Sequence, residues 1–393
     1  MLPDMRWSLI AALVTMVAIV IHKKKTQVNK SEGRKSIIIG YSLFCIWLLV
    51  QYSWALDPTT HSELIALYIK YAMLIWLITT TIDSEKHLHW FLWAHILGCT
   101  YLGWVADTEY DGGRFESFGG SDINEANAGA LQMVSALFIG ASIFLTAKLK
   151  EKVLITLCMP FVANALILTS SRSAFLAAAV GGLTFNLCTQ KNHRWLIRAL
   201  SILAVLGFFA LTNQAFWDRM NTLKAVGEQV EGVDTGSSRL VIAKAQLDMF
   251  KSHPFGCGHR CTAVLSPQYL DDKYLTGTKD NRGRSSHNTV LSLLVEQGIF
   301  GIAFYLMYFY WMSAMAIKLL KSSKNKTGLI GNITPGLVGM IAAIMIGDMF
   351  VDYLKSEIRI WLASLLIVCL HLANKNNNPN QNPKARDKVP AIS

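Results

Sequence analysis

Charged side chains are scarce in this chain of 393 residues. Asp, Glu, Lys and Arg together make up 16% of the sequence, whereas hydrophobic residues make up 52% and the mean hydropathy is +0.34. Soluble globular domains typically carry about 25% charged residues. The shortage of charge therefore argues against a soluble protein, and the composition predicts a chain embedded in a membrane.

Other features are absent as well. The first apolar run, 7–22, has no A-x-A cleavage site, and the basic cluster Lys23 to Lys25 follows this run instead of preceding it. We therefore interpret the run as a span and not as a signal peptide. No separate basic domain accounts for the formal net charge of +11, so nucleic acid is not an expected partner. There is also no clear internal repeat.

Runs of mostly apolar residues recur from end to end. Each run is long enough to cross a hydrocarbon core of about 30 Å, and the sequence predicts an all-α integral membrane protein with about 11–12 transmembrane helices. The predicted spans are 7–22, 36–51, 64–82, 89–105, 127–147, 152–169, 173–188, 196–212, 299–320, 328–350 and 356–374.

The distribution of Lys and Arg among the connections predicts the orientation. Basic connections, such as Lys148 to Lys152 and Lys191 to Arg194, belong on the cytoplasmic side. The segments 52–63, 106–126, 170–172, 213–298 and 351–355 are then outside. We divide the chain into four parts: N-terminal transmembrane helices (1–212), a long periplasmic loop with amphipathic helices (213–298), C-terminal transmembrane helices (299–374) and a disordered cytoplasmic tail (375–393).

Three Ser-Ser pairs, each followed by Arg or His, stand in the predicted outer segments. They are Ser170-Ser171-Arg172, Ser237-Ser238-Arg239 and Ser285-Ser286-His287. Serine is a favoured N-cap residue, so each triplet predicts a helix with Arg or His in its first turn. Helix N-termini favour anions. Three such helix starts on one side of the bilayer indicate a site for a phosphate-bearing ligand, whereas each triplet alone is equally consistent with ordinary capping.

The long outer loop has a predicted organisation of its own. Leu240, Ala243, Leu247 and Phe250 recur at helical spacing and predict an amphipathic helix. The segment His253-Pro254-Phe255-Gly256-Cys257-Gly258 ends this helix sharply. A second short helix is predicted over 287–296, with a break at Gly298, and it is too short to span a membrane alone.

Two of the seven cysteines, Cys257 and Cys261, lie in this loop. In an oxidising compartment they are candidates for a short-loop disulfide. The alternative is a metal site formed with His259, although a fourth ligand and a recognised spacing are missing. Both interpretations remain open at the level of sequence.

The residue types indicate transfer from a diphosphate carrier. Arg172 and Arg239 are permanently charged and make forked hydrogen bonds to a leaving diphosphate. A histidine at a helix start, such as His287, accepts a proton from a substrate hydroxyl. The long loop has no Asp-x-Asp-like pair, so we expect no metal and no other cofactor. The structural alternatives are an interface anchor for Arg172, a solvated helix residue for Arg239 and a polar cap for His287.

The stretch from Arg239 to Phe304 resembles the signature of the O-antigen ligase-like membrane proteins. Its parts are an Arg-led helix, His253 to Gly258, His287-Asn288 followed by Leu291, and Glu296-Gln297-Gly298 with Gly301. Ser171-Arg172-Ser173, upstream, is similar to the other basic site of that family, and Trp217 to Met220 is in keeping with it. The resemblance covers roughly residues 110–320.

This resemblance implies a bacterial inner-membrane glycosyltransferase of the GT-C type. Such ligases move a glycan from undecaprenyl diphosphate to lipid A–core on the periplasmic side, with inversion. By this likeness Arg172 and Arg239 contact the diphosphate, and His287 serves the acceptor hydroxyl. Arg260, Arg219 and Asn288 are secondary candidates for substrate binding. The expected partners are the carrier-linked glycan, the lipid A–core acceptor and membrane lipid.

Related activities remain open. A polymerase would extend a glycan, a protein O-oligosaccharyltransferase would use Ser or Thr of a protein, and a transporter would move the lipid-linked sugar. Asp348 and Asp352 are either interfacial caps or partners of an acceptor sugar or an arginine. The aromatic residues at outer span ends are either interface anchors or sugar platforms; they are Trp54, Trp104, Trp217, Phe350 and Tyr353.

Overall fold

A computed structural model describes most of the chain. The described residues are 7–21, 32–116, 118, 125–212, 217, 236–275, 283–284, 287–323, 328–352 and 354–377. They form an all-α protein with 14 helices in these ranges. The helices are α1 (Trp7–Ile21), α2 (Glu32–Gln51), α3 (Pro58–Thr81), α4 (Glu85–Thr108), α5 (Ala126–Phe144), α6 (Leu149–Leu168), α7 (Arg172–Cys188), α8 (Arg194–Leu211), α9 (Gly236–Ser252), α10 (Cys261–Tyr269), α11 (Thr289–Glu296), α12 (Gly298–Ser323), α13 (Leu329–Asp348) and α14 (Ile358–Asn377).

Each of the eleven predicted spans coincides with one helix, from α1 to α8 and from α12 to α14. Among the described residues, seven helices are long and apolar enough to cross a membrane, by length and composition: α2, α3, α5, α6, α12, α13 and α14. The other four do not meet these limits. The chain is thus an all-α integral membrane protein, and the last helix extends to Asn377, beyond the predicted end of the span.

Small residues bring α7 and α13 into close contact. A Cβ atom added at Gly181 of α7 would lie 2.7 Å from the Gly339 carbonyl oxygen of α13, and one added at Gly339 would lie 2.7 Å from the Gly181 carbonyl oxygen. Helices in lipid pack through such small residues because their backbones can then approach closely. A larger side chain at either glycine would separate the two helices.

The predicted outer segments gather at one end of the helices, which we call the motif face. Two backbone hydrogen bonds join these segments, Leu56 to Cys257 at 2.9 Å and Thr289 to Val351 at 3.1 Å, and a third, Phe115 to Leu168 at 3.1 Å, binds 106–126 to the end of α6. Different contacts join the opposite end, where Asn376 Nδ2 donates to Glu85 Oε1 at 2.8 Å. Since α7, which follows α6, begins at the end of the bundle where α13 ends, the described parts of the predicted outer segments share one face.

The long loop folds into a small helical unit on the motif face. Helices α9, α10 and α11 surround a cluster that includes Ile242, Met249 and Val295. The helix predicted after Ser238 is present as α9, and Leu240 and Leu247 of its predicted apolar stripe are 77% and 45% exposed, whereas Ile242 and Met249 are buried. Since α9 is apolar on more than one side, its neighbours and not its periodicity decide which side is buried.

Candidate active site

Arg172 opens α7 on the motif face, as predicted. Ser171 is the N-cap of this helix, and its Oγ accepts a hydrogen bond from the Ala174 N–H at 3.3 Å. The same hydroxyl donates to Asn127 Oδ1 at 2.6 Å. Ser170, just before, has a positive φ of 47°. The turn that presents Arg172 is therefore held by the start of α5 as well as by its own cap.

A second arginine adjoins this turn. Arg114 Nη2 donates to Asn127 Oδ1 at 2.9 Å, and Arg114 Nε donates to the Thr169 carbonyl oxygen at 3.1 Å. Arg114 also pairs with Glu116 at 2.9 Å. Arg114 was not among the predicted site residues, although it is the only Lys or Arg between Lys86 and Lys148 in the sequence.

His287 lies at the start of α11 but not in its first turn, contrary to the prediction. The N-cap is Asn288, whose side chain accepts a hydrogen bond from the Leu291 N–H at 3.0 Å, and the helix begins at Thr289. Asn288 caps better than the predicted serine because its Nδ2 also donates to the Met349 carbonyl oxygen at 2.9 Å. His287 therefore precedes the cap, and the argument from a first-turn histidine does not apply.

The backbone of His287 is held in an uncommon conformation. Its φ is 50°, and in the described part of the chain only Ser170 and Arg260 are other non-glycine residues with positive φ. Such a conformation costs about 1–3 kcal/mol and persists where the surroundings enforce it. The enforcing contacts here are those of Asn288 with Met349 and of Thr289 with Val351. His287 is thus fixed against the end of α13.

Arg172 and His287 are brought to the same end of one helix pair. Helices α7 and α13 are antiparallel, since they cross at Gly181 and Gly339 and Gln190, just after α7, donates to the Gly331 carbonyl oxygen at the start of α13 at 3.3 Å. Arg172 is nine residues from the crossing (181 − 172 = 9), and Asp348 is also nine residues from it (348 − 339 = 9). Nine helical residues span about 14 Å. Arg172 therefore lies level with the end of α13, which binds the segment from Asn288 to Thr289.

Arg239 lies in the first turn of α9, as predicted, although its capping was predicted wrongly. The helix begins at Gly236, so Ser237 and Ser238 lie within it and do not precede it. The buried side of α9 packs on Val295 of α11 through residues that include Ile242 and Met249. Arg239 therefore belongs to the unit built around α11. Arg219 lies outside the described residues.

Arg260 lies in a turn that a disulfide closes. Cys257 and Cys261 are bonded, with Cα atoms 5.7 Å apart, which confirms one of the two alternatives and removes both thiolates from a metal site with His259. Arg260 is the exposed N-cap residue of α10 and has a φ of 60°. The sequence analysis did not predict α10.

The segment His253 to Gly258 is clamped by the end of α2. Gln51 Nε2 donates to the carbonyl oxygens of Glu296 at 2.7 Å and Phe255 at 3.2 Å. Gly256 has a φ of 79°, and a Cβ atom there would lie 2.4 Å from Gln51 Nε2, so glycine is needed at this position. The motif segment is therefore fixed to the N-terminal helices by polar contacts.

A buried ion pair joins this clamp to α11. His259 Nδ1 lies 2.8 Å from Glu296 Oε2, and Thr262 Oγ1 donates to Glu296 Oε1 at 2.8 Å. Burial alone would raise the pKa of Glu296, but the charge of His259 and these hydrogen bonds outweigh burial and hold that pKa below its ordinary value. His259 and Glu296 together fix α10 to the C-terminal end of α11.

His61 of α3 holds the backbone of His259 through a hydrogen bond. The His259 backbone N–H donates to His61 Nδ1 at 3.0 Å, and His61 Nε2 lies 2.9 Å from the Leu48 carbonyl oxygen. Since Nδ1 accepts a hydrogen bond and Nε2 faces an acceptor, His61 is the neutral tautomer with its hydrogen on Nε2. No sequence pattern indicates that a histidine of the second predicted connection binds a loop residue 198 positions away.

The two acidic residues near the end of α13 have different environments. Asp348 pairs with Arg359 and accepts a hydrogen bond from Tyr305 at 2.7 Å, so pairing with an arginine is the correct alternative for it. Asp352 accepts hydrogen bonds from Ser292 Oγ at 3.1 Å and from the Leu354 N–H at 3.2 Å. Burial and the nearby charge of Glu296 raise the pKa of Asp352. Asp352 thus lies beside the first turns of α11.

Comparison with known protein families gives one match, to the central part of the chain. Residues 154–306 match the family model described as O-antigen ligase, which confirms the resemblance drawn from the motifs. The match spans α6 to the first turns of α12 and includes Arg172, Arg239 and His287. It indicates a glycosyltransferase-like enzyme of the ligase and polymerase superfamily, acting on lipid-linked glycans. No curated protein matches the chain.

Proposed function

Starting from a segment of the O-antigen ligase family at 154–306, we propose that this chain moves a glycan from undecaprenyl diphosphate to lipid A–core. The observation that carries the proposal is the fixed position of His287 at the end of α13, level with Arg172. A permanent cation and a proton acceptor at one place are what such a transfer requires. The motif face is then the periplasmic face of a bacterial inner membrane.

The arginines stabilise the leaving group. Arg172 and Arg239 bind the diphosphate, and Arg260 is a further candidate from the disulfide-closed turn. Guanidinium groups suit this role because they stay charged and bind phosphate oxygens in pairs. The start of α7 adds backbone N–H groups that favour an anion. Arg114 adds positive charge next to that turn, although Glu116 pairs with it.

His287 serves the acceptor hydroxyl. The hydroxyl oxygen forms a bond to the anomeric carbon while the bond from that carbon to the diphosphate oxygen breaks, and the hydroxyl proton passes to His287. The diphosphate leaves on its carrier with the bonding electrons, and the configuration inverts because the hydroxyl attacks the face of the anomeric carbon opposite the diphosphate. This step needs no metal to activate the nucleophile, and we propose a metal-independent reaction.

A cavity in the helix bundle supports the proposal that the substrate has a lipid carrier. Its volume is about 490 Å³, it lies between α2, α3 and α12, and Leu293 of α11 lines it. Leu43 and Tyr310, also in its lining, are 47% and 76% exposed, so the cavity borders the surface that faces lipid. Its walls suit hydrocarbon, because the Tyr68 and Tyr308 hydroxyls already donate to carbonyl oxygens of the chain.

A transfer assay tests the proposal. Purified protein is incubated with an undecaprenyl-diphosphate-linked glycan and lipid A–core, with and without a chelator. We expect glycan-capped lipid from the wild type in both conditions, and a loss of roughly a hundredfold or more in His287→Ala and Arg172→Ala. Arg194→Ala is the matched control for Arg172, because Arg194 also opens a helix but belongs to a predicted cytoplasmic segment.

The products decide between the activities. Lengthening of the carrier-linked glycan without capped lipid would assign the chain to polymerisation. Transfer to a protein acceptor would assign it to protein glycosylation. Binding of the carrier-linked glycan without transfer to any acceptor would contradict an enzymatic role and favour transport.

A further inference from the structure

An aromatic cleft opens on the motif face, at the C-terminal end of α11. Its volume is about 550 Å³, and we define it by its aromatic walls: Trp47, Trp54, Phe255 and Phe300. Trp54, Phe255 and Phe300 are 41%, 57% and 44% exposed. Large aromatic faces are thus available to a ligand at a place that the proposed transfer site does not use.

The two indole rings of the cleft are not placed like interface anchors. Trp54 Nε1 donates to the Gly256 carbonyl oxygen at 3.0 Å, and Trp47 Nε1 donates to the Gln297 carbonyl oxygen at 3.0 Å. An anchoring tryptophan directs its N–H to the lipid headgroup region. Because both N–H groups here bind the protein, the rings are held in fixed orientations, with Trp47 packed on Phe300 and Trp54 41% exposed.

The rim of the cleft is polar. His253 and Ser252 line it together with the aromatic walls, and His253 is half-buried. Binding sites for small ligands combine apolar walls with a few polar groups that set orientation. A sugar ring matches this combination, because its C–H bonds, polarised by neighbouring oxygens, lie on the electron-rich aromatic faces while its hydroxyls reach the rim.

The cleft lies near the end of α11 that is opposite to the proposed transfer site. Gly256 forms part of its wall and is clamped by Gln51, which also binds the Glu296 carbonyl oxygen at the end of α11. From Asn288 to Glu296 the helix rises about 12 Å. A glycan of several sugars with its reacting end at His287 is therefore long enough to reach the cleft.

We propose that the aromatic cleft binds a pyranose ring of a glycan substrate, with Trp54 and Phe255 as its stacking platforms. The proposal rests on the proposed glycan transfer for the identity of the ligand. Its geometric basis is separate, since it uses residues outside the transfer site. The glycan can belong to the donor or to the acceptor, and each is titrated in its own arm of the test.

The test compares ring removal with loss of the hydrogen bond. We expect Phe255→Ala and Trp54→Ala to raise KM for one glycan substrate roughly tenfold with kcat nearly unchanged, as for loss of an aromatic contact. Trp54→Phe keeps a ring and loses the N–H, and it should stay near the wild type. Trp104→Ala is the matched control, because Trp104 is 50% exposed and lies near the end of α4 on the same face.

Two results would overturn the proposal. One is an unchanged KM for donor and acceptor in both Phe255→Ala and Trp54→Ala. The other is an effect of Trp54→Phe as large as that of Trp54→Ala, which would assign Trp54 to holding the loop. Phe255 makes no such hydrogen bond, so its variant separates stacking from folding.

A binding measurement keeps the two proposals distinguishable. The free oligosaccharide, released from its carrier, is titrated into wild type, Phe255→Ala and Trp104→Ala while intrinsic tryptophan fluorescence is recorded. Saturable binding that is weakened only in Phe255→Ala supports the cleft even if no transfer occurs. Transfer by the wild type with equal sugar binding in all three proteins would reject the cleft and leave the transfer reaction standing.

Discussion

The molecule holds two buried carboxylates in different ways. Asp348, at the end of α13, pairs with Arg359, whereas Glu296, at the end of α11, pairs with His259. Arginine stays charged at all ordinary pH values, but histidine is charged only when protonated. The cation is therefore charged at every ordinary pH in the pair of the bundle, but only when protonated in the pair on the motif face. The helix bundle and the unit that carries the motifs are thus stabilised by ion pairs of different chemistry.

Breaking the ion pair between Asp348 and Arg359 should have the largest effect on stability. Arg359→Ala leaves Asp348 buried without its cation, and we expect a loss of about 3–5 kcal/mol in the free energy of unfolding. Thermal or denaturant unfolding of the solubilised protein measures it. The double variant Asp348→Leu with Arg359→Leu should lose less, because no uncompensated charge remains. Equal losses in the single and double variants would show that the pair itself is not what Asp348 requires.

Breaking the pair between His259 and Glu296 should destabilise the protein less. His259→Ala removes a hydrogen bond from a group that is charged only when protonated, unlike the permanently charged Arg359, so we expect a loss of about 1–3 kcal/mol. Limited proteolysis should increase within 253–260, because the clamp opens locally while the bundle stays folded. His193→Ala, at the start of α8, is the control. Unfolding of the whole protein in His259→Ala, as severe as in Arg359→Ala, would remove the distinction between the two regions.

The smallest effect should be the dependence on pH. Because the pKa of Glu296 is held below its ordinary value of 4.5, its ionised form adds stability that is present above pH 4.5 and lost as the pH falls through the lowered pKa. Asp352, with a raised pKa, acts in the opposite sense, and its contribution is lost as the pH rises through that pKa. Melting temperatures between about pH 3 and pH 7 should decline less on the acid side in Glu296→Gln. A wild-type slope in that variant would exclude Glu296 as the group responsible.

The scaffold was largely predictable from the sequence because lipid imposes a simple rule. A span must be helical, apolar and about 20 residues long, so apolar runs such as those of α5 and α13 can be recognised by their length and composition. Lys and Arg counts then predicted which connections share a side of the bilayer. The position of Arg172 at a helix start followed from Ser171, since capping is a local interaction.

The arrangement on the motif face was less predictable because long-range contacts decide it. His287 precedes its helix because Asn288 binds Met349, 61 positions away. The buried side of α9 depends on the neighbours that it meets, since Ile242 and Met249 are buried while Leu240 and Leu247 of the apolar stripe are exposed. The pairing of His259 with Glu296 has no local signal, since the two residues belong to separate motifs.

The clamp on the motif face has a consequence for biosynthesis. Gln51 and Glu296 are separated by 245 residues, and Trp47 and Gln297 by 250. At about 5–20 residues per second, a ribosome needs roughly 12–50 s to make the interval. For that time the newly inserted α2–α3 hairpin must wait in the bilayer with its amide and indole groups unmatched, so the nascent chain is most exposed to quality-control proteases before α11 emerges.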